Sequence, residues 1–239
     1  MNEYKDKLKK DGVCVLKNIY SKNINAFTAI FKKLENSSYD ILKTAKSKKI
    51  NYVTYYDKEI IYKKNLYKGK LLSVLELNKG RYDIYLNNNN IILDNKINEL
   101  LSDFIKKNYR VNWGILTSNI ESGDGDWHRD TVNIDGDSNN DGSYNDYNMV
   151  HNMNPFYFTI LIPLVPLNKK NGSTEFIKGS HKLSFDEINN KEHLQFDTNL
   201  GDAIVFDGRI FHRGKKNMSY KPRPMIYIIV YRSWYNDSY

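Results

Sequence analysis

His128, Arg129 and Asp130, answered far downstream by His212 and then Arg223, are the residues of this chain whose types and spacing best suit chemistry. Two imidazoles and one carboxylate form a donor set that suits a ferrous ion, Fe(II), with coordination positions left open. On an extended segment His128 and Asp130 leave the same face, because strand side chains repeat every two residues. The third ligand must then come from a distant strand folded back beside the first. Arg223 stands eleven residues beyond His212, and a guanidinium can fork onto a carboxylate. A metal beside a carboxylate anchor describes a site for a small keto-acid co-substrate.

Such a site needs a scaffold that returns the chain onto itself. Ile24, Phe27, Ile30, Phe31 and Leu34 recur with helical period over 22–35. Ile92, Leu93, Ile97, Leu100, Leu101, Phe104 and Ile105 predict an amphipathic helix near 91–107. Between them, 51–86 is dense in Tyr, Ile and Leu without a firm assignment, and Asn87 to Asn90 read as a loop. Short apolar runs at 111–118, 156–165, 203–206 and 225–231, divided by Gly, Asn, Asp and Pro, read as strands. Helices first and strands later predict an α+β fold. Its strand half is expected to form a double-stranded β-helix, the jelly roll of cupins. With no repeat or linker visible, 1–239 is expected to be one domain, helical and mixed to about 108 and jelly roll from about 109.

Several further residues bear on the site. Positions 223, 225, 227, 229 and 231 share a strand face, so Arg223 heads an inward row. An unpaired buried guanidinium is costly, and an incoming carboxylate removes that cost. Tyr157, Thr159 and Leu161 alternate with Phe158, Ile160 and Ile162, and one of these faces lines the cavity. Thr159 is a candidate for a second hydrogen bond to the co-substrate, with core packing as the alternative. Trp127 and Phe211 flank metal ligands and are expected either to limit water access or to fill the core. Gly80-Arg81-Tyr82-Asp83 could contact substrate, though a structural salt bridge is the simpler reading.

The segment 121–154, rich in Gly, Asp and Asn, is expected to act as a lid that begins at the metal ligands. The alternative is a surface insertion of no consequence. Within it, Asp137 to Gly142 imitate the first half of a calcium loop. Position twelve there is Asn148 and no helices flank it, so calcium is not expected. His181 reads as a loop residue near the cavity rather than a ligand, and His151 and His193 carry no signal.

The strings Trp127-His128-Arg129-Asp130, Asn171 to Lys182 and Phe206 to Gly214 resemble signature segments of the phytanoyl-CoA dioxygenase family, as do Gly201-Asp202 and the run from Arg223 to Trp234. Lys10-Asp11-Gly12-Val13 resembles that family's opening, so the similarity spans nearly the whole chain and is densest from about 110. The resemblance implies an iron(II)- and 2-oxoglutarate-dependent oxygenase. It assigns His128, Asp130 and His212 as metal ligands and Arg223 as the partner of the far carboxylate of 2-oxoglutarate. It also implies that dioxygen is consumed, succinate and carbon dioxide are released, and a C–H bond is hydroxylated. Asp130 argues against a halogenase, since halogenating relatives lack the carboxylate. Two alternatives stay open: a noncatalytic binding protein that keeps the fold, and a metal-dependent cupin-type enzyme without 2-oxoglutarate, against which Arg223 argues. Nothing resembles a coenzyme A site, so the expected partner is a small-molecule substrate of unassigned structure.

Composition narrows the classes further. With 239 residues, 40% hydrophobic and 27% charged, the chain can bury one sizeable core. No apolar run is long enough for a membrane span, and Met1-Asn2-Glu3-Tyr4-Lys5 opens no signal peptide, so a cytoplasmic protein is expected. Cys14 stands alone and cannot form an internal disulfide. The net charge of +8 could serve nucleic-acid binding, but the basic residues are scattered and accompany the Asn, Ile and Tyr of an AT-rich genome. Nucleic acid is therefore not an expected partner, and oligomeric state is left open.

Overall fold

The β-branched and aromatic run Met225 to Tyr231 is apolar at consecutive positions, the pattern of a strand covered on both faces. It becomes the middle of the architecture. The computed structural model describes residues 1–32, 53–55, 58–67, 70–78, 80–86, 91, 93–106, 108–120, 122–131, 153–184 and 186–235. In chain order the elements are α1 (Asn2–Asp11), β1 (Val13–Leu16), α2 (24–32), β2 (Val53–Tyr55), β3 (Lys58–Tyr67), β4 (Lys70–Asn78) and β5 (Arg81–Leu86). There follow α3 (Asn95–Leu101), β6 (Tyr109–Ser118), β7 (Tyr157–Pro163), β8 (Thr174–Ile177), β9 (His193–Gln195), β10 (Ala203–Asp207), β11 (His212–Gly214) and β12 (Arg223–Arg232).

The strands form a nine-stranded sheet in the order β1-β10-β7-β12-β6-β5-β4-β3-β2 and a three-stranded sheet in the order β11-β8-β9. Every pairing is antiparallel. Mostly antiparallel sheets with few helices make this the cupin-like jelly roll expected from the sequence.

Strand alternation decides what each face of the large sheet meets. Ile226, Ile228 and Val230 of β12, with Phe158, Ile160 and Ile162 of β7, pack with Leu8 of α1 and Ile97, Leu100 and Leu101 of α3. The opposite face carries Met225, Tyr227 and Ile229, with Tyr157 and Leu161, against Phe176 and Phe206. Each fully buried aliphatic or aromatic side chain contributes roughly 1.5–3 kcal/mol by leaving water. The second face, between the two sheets, holds the site.

One sequence expectation is corrected, and elements are added in two stretches that the sequence left unassigned. The helix expected over 91–107 is regular only across α3, where the Asp94 side chain accepts from Lys96 N at 2.8 Å and caps its start. Phe104 and Ile105 keep the apolar pattern but bury themselves from the following turn, whose amides bond to Leu101 O. The unassigned stretch 51–86 contains β2 to β5; bulges in the β3–β4 and β4–β5 pairings break the period-two signal. Helix α1 was not foreseen, because it buries Leu8 alone and shows no apolar stripe.

Gly12 ends α1 at φ 80 with its amide on Leu8 O, a left-handed cap that releases the chain into β1. Among the described residues no helix is long and apolar enough to cross a membrane. Residues 33–35 of the first expected helix, Asn87 to Asn90, most of the expected lid (132–152), the calcium-loop imitation and His151 lie outside the described residues.

Candidate metal centre

A single backbone bridge brings the two histidines together. His128 N donates to His212 O at 3.1 Å and His212 N donates back to His128 O at 3.0 Å. Directly opposed residues of such a pair project side by side, and the ring centroids lie 4.4 Å apart. Two residues on, Asp130 N donates to Gly208 O at 2.8 Å, fixing the segment against the turn before β11. Asp130 Oδ1 then lies 3.3 Å from His212 Nε2 and 3.9 Å from His128 Nε2. One donor atom from each of the three residues falls within 4.8 Å of the others.

Hydrogen bonds behind the rings select the tautomer a metal ligand needs. His128 Nδ1 lies 2.8 Å from the Asp126 carbonyl, and His212 Nδ1 lies 3.0 Å from the Ile210 carbonyl. A carbonyl can only accept, so each Nδ1 carries a proton and each Nε2 is the nitrogen left to face Asp130 and a metal. Burial works to raise the Asp130 pKa, but His212, then His128 and the Thr159 hydroxyl outweigh it and hold the carboxyl below its ordinary range. Burial works to lower the His212 pKa, but Asp130 outweighs it and raises it, so a metal would displace a proton there. The donor set is two imidazole nitrogens and one carboxylate, with no cysteine sulfur, which fits non-heme iron.

Thr159 lies on the cavity face of β7, but its hydroxyl is directed differently from the sequence expectation. It donates to Asp130 Oδ2 at 2.5 Å, steadying a metal ligand rather than standing ready for the co-substrate. Losing such a partner of a ligand typically costs about 10–100-fold in metal affinity. Thr159→Val, which keeps shape and removes the hydroxyl, is expected to weaken iron(II) binding by that order in equilibrium titration. Unchanged affinity would show the hydroxyl to be incidental.

The same side chains open on a cavity of about 180 Å³ that also reaches Arg223, Arg81 and Asp83. Arg223 of β12 pairs across to Ser118 of β6, which in turn pairs with Arg81 of β5. Arg223 is 1% exposed. Its Nη2 donates to Ser118 Oγ at 2.7 Å and its Nη1 approaches Met225 Sδ at 3.7 Å, while Nε has no partner. Among the described residues no carboxylate pairs with it. Burial, and then the Arg81 charge, push its pKa down to about 9. A buried cation without its counter-ion, facing a cavity, is set to receive an anion.

Arg81 is structural, as the sequence suggested, but not through a salt bridge. Its Nη2 donates to the carbonyls of Gly123, Gly214 and Lys215 at 3.0, 3.2 and 3.4 Å. It thereby ties the segment entering His128 to the one leaving His212. The tie requires glycine at 214, where a Cβ would sit 1.7 Å from Arg81 Nη1. Gly214→Ala is expected to displace Arg81 and destabilise the protein by about 1–3 kcal/mol, as overpacking does, measured by denaturant unfolding. A stability equal to wild type would contradict the tie.

Sequence reasoning gave no role to Tyr227 and placed Asp83 only in a weak string. Tyr227 donates to Asp83 Oδ1 at 2.8 Å. Burial pushes the Asp83 carboxyl up to about 7, against the opposing hydrogen bond from Tyr227. The available signal was the position of Asp83 two residues from Arg81, on the same strand face.

Trp127 and Phe211 do not line the cavity. Phe211 packs with Ile177 and Ile188 in a separate small cluster, and Trp127 joins its edge. The Arg129 guanidinium lies 4.1 Å from the centroid of Phe211 and that of Arg213 4.4 Å from Trp127. They fill a core behind the small sheet, the second of the two roles expected. His181 also stays outside the cavity. It is buried in the Ser180–Lys182 turn, with Nε2 3.3 Å from Lys9 O, and burial pushes its pKa down to about 4. His193 sits beside Glu175 at 3.4 Å.

Comparison with known proteins agrees with this architecture. HygX from Streptomyces hygroscopicus, solved with nickel and 2-oxoglutarate bound, superposes with a TM-score of 0.61 at 12% identity, over 99% of this chain and 89% of that one. SnoN, a non-heme alpha ketoglutarate dependent epimerase from nogalamycin biosynthesis, gives 0.60 at 12% identity over 97% and 84%. AviO1 from Streptomyces viridochromogenes Tue57 gives 0.58 at 15% identity over 96% and 94%. At these identities the likeness is one of fold. The family model for Phytanoyl-CoA dioxygenase (PhyH) matches residues 8–225, nearly the whole length. The chain therefore belongs to the phytanoyl-CoA dioxygenase family.

Proposed function

We propose that this protein is an iron(II)- and 2-oxoglutarate-dependent dioxygenase that hydroxylates a C–H bond of a small-molecule substrate, releasing succinate and carbon dioxide. The observation that carries this reading is Arg223, a buried guanidinium without a carboxylate partner in the same cavity as the His128–Asp130–His212 cluster. The family match, and the nickel and 2-oxoglutarate held by HygX, support the cofactor choice. Residues 1–239 act as one unit in this reading, since the large sheet draws strands from both halves of the chain.

The geometry supports the following roles. His128 and His212 would hold the metal through Nε2 and Asp130 through a carboxylate oxygen, with Thr159 and the Asp126 and Ile210 carbonyls fixing their orientation. Arg223 and Ser118 would take the far carboxylate of 2-oxoglutarate. Iron, 2-oxoglutarate and dioxygen together supply the oxidising power. Tyr157, Leu161, Phe206 and Ile229 line the cavity with apolar surface and keep bulk water from the reacting atoms. Because SnoN is an epimerase, product structure decides between oxygen insertion and a change of configuration at carbon. The direct assay is succinate formation with ferrous iron, 2-oxoglutarate and air, alone and with candidate small molecules. Iron- and 2-oxoglutarate-dependent succinate is the expected result. Its absence under all these conditions would sink the reading and favour a noncatalytic binder.

A further inference from the structure

Asp83 is a cavity carboxyl for which the oxygenase machinery has no use. It is 7% exposed and lies on β5 two residues from Arg81, so both leave the same face. Tyr227, from two strands away, engages Oδ1. That reach depends on Gly114, where a Cβ would sit 2.3 Å from the Tyr227 hydroxyl oxygen. Asp83 lines the cavity, and among the described residues its second oxygen has no hydrogen-bond partner.

No Lys, Arg or His pairs with Asp83 among the described residues. The two arginines that share its cavity are directed elsewhere, Arg81 to three carbonyls and Arg223 to Ser118. A carboxyl kept out of water without a cation is costly to ionise, and the elevated pKa is the sign of that cost. A protonated amine would remove it with a charge-assisted hydrogen bond. Another carboxylate or a phosphate would meet repulsion there. The cavity thus carries both guanidinium groups suited to a co-substrate carboxylate and, one same-face step along the sheet, a carboxyl.

We propose that Asp83, oriented by Tyr227, receives a protonated amine of the primary substrate, which makes basic, amine-bearing small molecules the substrate class. This rests on the oxygenase reading for the identity of the site, but it has its own readout. Protein loaded with nickel(II) and 2-oxoglutarate is titrated with two probes of matched shape, cyclohexylammonium and cyclohexanol, followed by ligand-observed NMR. Wild type is expected to bind the ammonium at least about tenfold more tightly than the alcohol. Asp83→Asn, nearly isosteric, should erase that preference without changing 2-oxoglutarate affinity. Tyr227→Phe, which keeps the carboxylate but removes the bond that orients it, should reduce the preference without abolishing it, and the unchanged 2-oxoglutarate affinity of Asp83→Asn reports that its fold is intact. Equal binding of the two probes, binding of neither, or a preference that survives Asp83→Asn overturns the proposal. Loss of 2-oxoglutarate affinity in Asp83→Asn would also overturn it, by assigning Asp83 to the co-substrate. If wild type takes up no 2-oxoglutarate at all, the oxygenase reading fails instead, and the probe preference measured without it still decides Asp83.

Discussion

His128→Ala is expected to lower iron(II) affinity by more than about 100-fold, beyond the 10–100-fold that follows loss of a ligand's supporting partner. The effect should be confined to metal. The His128 side chain is 49% exposed, and the bridge to His212 uses backbone atoms that alanine retains. The metal-free variant should therefore match wild-type stability to within about 0.5 kcal/mol, as for other surface substitutions. Adding metal at a hundred times its dissociation constant should stabilise wild type by about 2.7 kcal/mol. The variant should gain less than about 0.4 kcal/mol at that concentration. Thermal melts with and without iron, run anaerobically, separate the two quantities. Metal stabilisation that persists in the variant would place the ion elsewhere.

Arg223→Met should separate function from stability in the opposite way. Truncating one partner of a buried, hydrogen-bonded charge pair costs about 2–5 kcal/mol of binding. At about 1.4 kcal/mol per tenfold, 2-oxoglutarate affinity should fall by roughly thirtyfold or more. Metal affinity should hold, because Arg223 bonds to Ser118 and approaches Met225, and to none of the three ligands. The protein without co-substrate should become more stable. Arg223 has an unpartnered Nε and stands beside a second guanidinium, so an apolar side chain of similar length removes an uncompensated buried charge. Replacing buried ionic groups by apolar ones often gains about 1–4 kcal/mol. Tighter binding of 2-oxoglutarate in the variant, or a lower melting temperature without it, would contradict the role given to this arginine.

How much of this was legible in the sequence depends on the range of the interactions. The shared face of His128 and Asp130, and the inward row headed by Arg223, follow from strand periodicity, which a short stretch of chain carries by itself. The face of β7 that carries Thr159 was legible for the same reason. Its hydrogen bond to Asp130 was not, because it joins residues whose proximity is set by sheet closure. The Asp83–Tyr227 pair was hidden twice over. It spans three adjacent strands, and β5 lies in a region where bulges blur the alternation. Arg81 looked like half of an ion pair, whereas its partners are carbonyls, which no pattern of residue types records. Trp127, Phe211 and His181 drew attention by neighbouring the motifs, yet the chain turns there and directs all three away from the cavity.

The most direct measurement is a crystal structure of the protein prepared anaerobically with iron(II) and 2-oxoglutarate. The account predicts one ion held by Nε2 of His128, Nε2 of His212 and the carboxylate of Asp130, with the far carboxylate of 2-oxoglutarate on Arg223 and Ser118. Density for the ion away from that triad, or an Arg223 that meets no carboxylate while 2-oxoglutarate is bound, would contradict it.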